Sequence, residues 1–151
     1  VPRTVNKRGR WAAVAAAATL VASGMVLTSS TAAQGASPAD QCTAAHPRDD
    51  APAYTQDADG WPLSVPGDPG GQVYVFYEPT YGYNCAIVVA NSDSAYVDIG
   101  LRRSDGGAPQ WRDGTGASAG PVLIEAMNVC IDVTAAVGER SLTVRDTNCG
   151  A

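Results

Sequence analysis

From residue 72 onward the apolar residues fall into short runs rather than long periodic stretches. They are "QVYVFYE" (72 to 78), "NCAIVVAN" (84 to 91), "YVDIGLRRS" (96 to 104), "PVLIEAM" (121 to 127), "VCIDVTAAV" (129 to 137) and "SLTVRDT" (141 to 147). β-Branched and aromatic side chains fill these runs, and Gly, Asn, Asp, Ser and Pro separate them. Such spacing predicts an all-β fold, a small antiparallel β-sandwich, with a partly closed barrel as the alternative. Residues 36 to 71 read differently. "DDAPAYTQDADGWPLSVPGDPGG" sustains no period, so this segment is expected to be loop with at most one short strand around 61 to 65. The sandwich is therefore expected over 72 to 151, and no long helix is expected in it.

Register can be read from the turns. With Tyr81 and Gly82 at the tip of the first hairpin, partner numbers sum to 163. Val73, Val75, Tyr77, Ala86, Val88 and Ala90 then share one face, and Tyr74, Phe76, Glu78, Cys85, Ile87 and Val89 the other. Both faces are largely apolar, which predicts an interior strand pair covered on both sides. Tyr74, Phe76 and Tyr77 are thus expected in the core, whereas Tyr81 and Tyr83 at the tip are the rings available to a partner. With Glu139 and Arg140 as the last turn, partners sum to 279 and Cys130 faces Cys149. Directly opposed antiparallel residues lie within disulfide reach. This register also places Ile131, Val133, Ala135, Val137, Leu142 and Val144 on one face, with Asp132, Thr134, Thr143, Arg145 and Thr147 on the other.

Residues 1 to 35 have a different character. Arg3, Lys7, Arg8 and Arg10 precede an apolar run from Trp11 to Leu27 and a small-residue stretch, "SSTAAQGAS". That is the pattern of a secretory signal peptide, cut near Ala33 or Gly35, and the run is short for a membrane anchor. Removal of those four cations leaves six Lys+Arg against fifteen Asp+Glu, nine negative charges in excess, and no lysine. Such a surface repels phosphate backbones, so nucleic acid is excluded as a partner, and no membrane association is expected after cleavage. Export also explains the cysteines. Cys42, Cys85, Cys130 and Cys149 show no CxxC spacing, and His46 is the single histidine, so two disulfides are expected rather than a metal site. If Cys130 pairs with Cys149, Cys42 is left for Cys85; four cysteines allow two other connectivities.

No catalytic constellation stands out, and no cofactor is implied. "DADG" at 57 to 60 would give an EF-hand loop Thr55 at its first position and Pro66 where a bidentate Glu belongs, so it reads as a turn. No G-x-S-x-G elbow accompanies the serines. A carboxylate pair such as Glu78 and Glu125 is the one enzymatic option, with nothing to single it out. "APQWRDGTG" at 108 to 116 reads as a glycine-rich loop that carries Trp111, either as a core plug or as a ring for stacking sugars.

Four islands, "GQVYVFY" with "YGYNCAIVV", "LRRSDGGAPQW", "SAGPV", and "CIDV" followed by "TNCG", resemble the spore-associated protein A family of streptomycetes and related actinobacteria. The resemblance runs from about Gly71 to Gly150. It implies a small secreted protein found with spores or the cell surface, with no catalytic residues to carry over. The expected function is non-enzymatic association with the cell or spore exterior, through a wall, spore-surface or extracellular protein or glycan partner. An extracellular binding module or protease inhibitor is the alternative, and exposure of Tyr81, Tyr83 and Trp111 discriminates a glycan-binding module.

Overall fold

A computed structural model describes residues 35–149. The signal-peptide reading of residues 1 to 35 lies almost wholly outside the described residues. The chain folds as one short helix, α1 (Pro38–Ala44), and eight strands: β1 (Leu63–Val65), β2 (Gly71–Glu78), β3 (Tyr83–Ala90), β4 (Ala95–Arg103), β5 (Gln110–Gly116), β6 (Ser118–Glu125), β7 (Ile131–Val137) and β8 (Arg140–Thr147). They form two four-stranded antiparallel sheets, ordered β1-β2-β3-β6 and β5-β4-β7-β8. The architecture is the sandwich, and the sheets do not close into a barrel.

Alternation along the strands builds the main core between the sheets. Val73, Val75, Ala86 and Val88 from the first sheet meet Val97, Ile99, Leu101, Ile131, Val133, Ala135 and Val137 from the second, all buried. The opposite face of β2 and β3 is covered as well. There Phe76, Cys85 and Ile87 pack with Cys42 and Tyr54 into a second cluster, edged by Ala39, Tyr74, Val89 and Leu123. The doubly apolar hairpin is thus an interior pair, as its pattern demanded. Tyr77 is the exception: it is half-buried, belongs to neither cluster, and lines surface grooves beside Pro79 and residues 52 to 59.

Both hairpins close one residue earlier than expected, which lowers each partner sum by two. Val73 pairs with Val88 and Phe76 with Cys85, so partners sum to 161, which preserves every face because side chains alternate with a period of two. The Glu78 carboxylate accepts the backbone N–H groups of Thr80 and Tyr81, which closes the turn directly after β2. In the last hairpin Val137 pairs with Arg140, and the turn is Gly138–Glu139 rather than Glu139–Arg140. Gly138 has φ +60°, the left-handed conformation that two-residue hairpin turns require. A bulge between Ile131 and Val133 then shifts the register, and Cys130 joins Cys149. Cys42 joins Cys85.

Two elements depart from the sequence reading. Ser37 and Asp40 form a capping box, with Pro38 in the first turn, and start α1 inside a segment expected to be loop. Seven residues are too few to show a period, so only the cap could have revealed the helix. Residues 110–116 are an edge strand, not a loop. All but the last of them are exposed, so they lack apolar alternation, and full pairing with β4 defines the strand.

Candidate functional site

The two outer faces of the sandwich differ. Over the first sheet lie α1, Tyr54 and the Cys42–Cys85 bridge. The outer face of the second sheet carries mainly polar side chains and two exposed rings, Tyr96 and Trp111. Its register aligns a single row across four strands: Trp111 on β5 opposite Gly100 on β4, Gly100 opposite Thr134 on β7, and Thr134 opposite Thr143 on β8. A Cβ at Gly100 would stand 2.5–2.6 Å from three atoms of the Trp111 ring, so the indole lies directly on the glycine backbone. Trp111 nevertheless keeps 44% of its surface exposed.

The neighbouring row supplies charge. Arg102 on β4 pairs in register with Asp132 on β7, and its guanidinium donates to the Asp132 carboxylate. Asp132 also accepts from the Ser104 hydroxyl at 2.6 Å and from the backbone N–H of Asp146, at the bulge, at 3.1 Å. The Arg102 guanidinium, followed by the Ser104 hydroxyl, holds the Asp132 carboxyl down to about 2, against 3.8 ordinarily. Arg145 completes the wall and makes no ion pair among the described residues. Together Trp111, Arg102, Arg145, Thr134, Thr143 and Asp132 line a shallow groove of about 190 Å³. The groove offers a flat apolar ring, guanidinium donors and two hydroxyls, groups that suit a polar ring-shaped ligand.

Tyr81 and Tyr83 stand elsewhere. At the tip of the first hairpin they surround His46, whose ring meets Tyr83 edge-on at 4.8 Å and Tyr81 at 6.1 Å. The Arg48 N–H donates to His46 Nδ1 at 3.1 Å, leaving Nε2 facing Glu78 Oε2 at 3.8 Å with both side chains buried. Burial works to raise the Glu78 carboxyl, but the Thr80 and Tyr81 donors and His46 outweigh it and hold it low. Tyr81 donates to Asp50 at 2.7 Å beneath the Arg48 guanidinium, 5.3 Å from the ring. Both tip tyrosines are half-buried and occupied in fastening the segment around residues 46 to 50. Of the three rings offered to a partner, Trp111 alone is largely exposed.

Glu78 and Glu125 share one cross-strand row, with Tyr83 between them. Glu78 is buried and engaged by the turn, while Glu125 is exposed. "DADG" forms a turn, and no cluster of three or more His, Cys, Asp or Glu suited to a metal occurs among the described residues. Sequence reasoning weighed Trp111 but missed its partners. Gly100, Arg102, Thr134, Thr143 and Arg145 become a group only once β4, β5, β7 and β8 are aligned, and reading 108 to 116 as loop hid that alignment.

The molecule is thus a disulfide-stapled all-β sandwich with one open, polar sheet face. The chain is 31% identical over 91 residues to spore-associated protein A of Streptomyces coelicolor, a match that covers 58% of this chain and 59% of that protein. This supports a relationship to the spore-associated protein A family. The chain spans less than two thirds of that relative's length. No family model and no solved structure matches it. No helix among the described residues is long and apolar enough to cross a membrane.

Proposed function

We propose that the protein is a secreted, non-enzymatic component of the spore or cell exterior that holds to its surface by binding a glycan on the outer face of the second sheet. The observation that carries this reading is the Trp111 ring, seated on Gly100 and exposed beside two arginines and two threonines. Pyranose rings present a flat C–H face to an indole and hydroxyls to flanking polar groups, and such a site needs neither an acid–base pair nor a metal. Two disulfides suit an oxidising exterior. The name of the Streptomyces coelicolor relative supports spore association, and engagement of Glu78 in its own turn supports a role without catalysis.

The test is fractionation of a sporulating culture into medium, wall and spore coat. Wild-type protein is expected in the wall or spore fraction, and Trp111→Ala, with its melting temperature checked, is expected to move to the medium. Retention of Trp111→Ala equal to wild type would sink the glycan reading, and recovery of both proteins from the cytoplasm would sink the surface role.

A further inference from the structure

We infer that the groove takes an acidic sugar: a pyranose that bears a ring-attached carboxylate, as in a hexuronic acid unit of an extracellular polysaccharide. This rests on the glycan reading above and adds the ligand class. The charge distribution carries it. Beyond residue 35 the chain has only six cations, all arginines, and fifteen acids, yet two of the six line this one groove. The single carboxylate among the lining residues, Asp132, already accepts from Arg102, Ser104 and the Asp146 N–H. Asp132 therefore neutralises Arg102 and leaves Arg145, an exposed side chain without an ion pair among the described residues, as the excess positive charge.

Geometry favours a sugar acid over a plain anion. The row next to Trp111–Gly100–Thr134–Thr143, roughly 7 Å along the strands, carries Arg102 paired with Asp132, and Arg145 enters the same row from β8 and lines the same groove, so the unpaired guanidinium lies on the Arg102 side of the indole. A hexuronic acid carries its stacking face and its carboxylate on the same ring, so one unit stacked on Trp111 can turn its carboxylate toward the neighbouring row. Guanidinium groups bind carboxylates through paired, charge-assisted hydrogen bonds. A polymer of phosphodiesters without rings would satisfy Arg145 and leave Trp111 unused. The next row on the other side of Trp111 holds Asp98 and Asp113 directly opposite each other, with exposed Tyr96 beyond. An acidic chain is repelled in that direction, so its carboxylate is expected to lie toward Arg102 and Arg145.

The deciding experiment titrates the purified, disulfide-bonded protein with trisaccharides of galacturonate, glucuronate and mannuronate, each alongside its methyl ester, and follows tryptophan fluorescence. The ester keeps the ring and removes the charge. At least one acid is expected to bind roughly tenfold more tightly than its ester, the scale of a hydrogen bond to a charged group. Arg145→Gln should bring acid and ester to within about twofold of each other, and Trp111→Ala should remove both. If every ester binds as well as its acid, the acidic-sugar inference falls while the glycan reading stands. If no saccharide binds, both fall. Poly(glycerol phosphate) displacing the acids more strongly than they displace one another would overturn the inference in favour of a phosphate polymer.

Discussion

Adding one methyl group at Gly100 tests whether the tryptophan platform is built as described. The three atoms nearest to a Cβ there all belong to Trp111, at 2.5–2.6 Å, closer than carbon atoms can approach. Gly100→Ala must therefore lift the indole off the strand. A little over half of the Trp111 surface is covered, since 44% is exposed. For a side chain that can bury up to ~250 Å², at ~25 cal/mol per Å², that coverage is worth at most about 3.5 kcal/mol, of which a tilted ring keeps part. Overpacking of this kind typically costs about 1–3 kcal/mol, so a loss of about 1–2 kcal/mol is expected. In a Trp111→Ala background the obstacle is gone, and the sign should reverse. Alanine is then favoured over glycine in a strand interior by roughly 0.5–1 kcal/mol. Denaturant melts of wild type, both single variants and the double variant close the cycle, with acrylamide quenching of tryptophan fluorescence reporting on the freed ring. If Gly100→Ala costs the same in both backgrounds, the two residues are not coupled and the seating of Trp111 on Gly100 is wrong.

The disulfides should contribute unequally. On the loop-entropy model the Cys42–Cys85 link, 43 residues apart, stabilises by roughly 4 kcal/mol, and Cys130–Cys149, 19 apart, by about 3. Paired Cys→Ala variants compared in denaturant melts should keep that order, and the reverse order would argue that α1 adds little to the fold. Acid should expose the Asp132 network. Its carboxyl titrates lower in the folded protein than in the unfolded chain, so its stabilisation is complete above about pH 4 and disappears as pH falls to about 2. The shift corresponds to about 2 kcal/mol before screening at half-open Arg102 reduces it. Melts between pH 5 and 2 should therefore fall less steeply for Asp132→Asn than for wild type, and parallel curves would refute the assignment.

What the sequence disclosed follows from period and covalent constraint. Nearly continuous apolar runs in 72–78 and 84–91 marked a hairpin covered on both faces, and a turn misplaced by one residue, which shifts partners by two, left those faces unchanged. The last hairpin brought Cys130 near Cys149 despite a misplaced turn, because the bulge at Asp146 shifted the register within reach. The hidden parts lack an apolar signal. β5 is exposed along nearly its whole length and owes its existence to hydrogen bonds with β4. The Tyr81–Asp50 and His46–Glu78 contacts join residues about thirty apart, which no local pattern reports. Tyr77 was expected in the core from its face, but the strand ends one residue later at the edge of the sandwich, where the facing sheet gives no cover.

The platform is also where the sequence makes two locally unfavourable choices at once. A glycine inside β4 weakens the strand, and a tryptophan on an edge strand leaves apolar surface in water. Valine at position 100 and threonine at 111 would suit a half-exposed sheet better. The two departures meet at one cross-strand pair, and each accounts for the other: glycine is needed for the ring to lie flat, and the glycine backbone under the ring is buried. Elsewhere the chain obeys its own alternation, burying Val97, Ile99 and Leu101 beneath the same strand. Tyr96 and Met127 are comparably exposed, but Tyr96 is not among the atoms nearest any glycine, and Met127 meets Gly82 outside the strands through its Cβ and backbone rather than through a ring face. Violations of local preference that are paired, adjacent and confined to one face are expected at sites kept for binding rather than for folding.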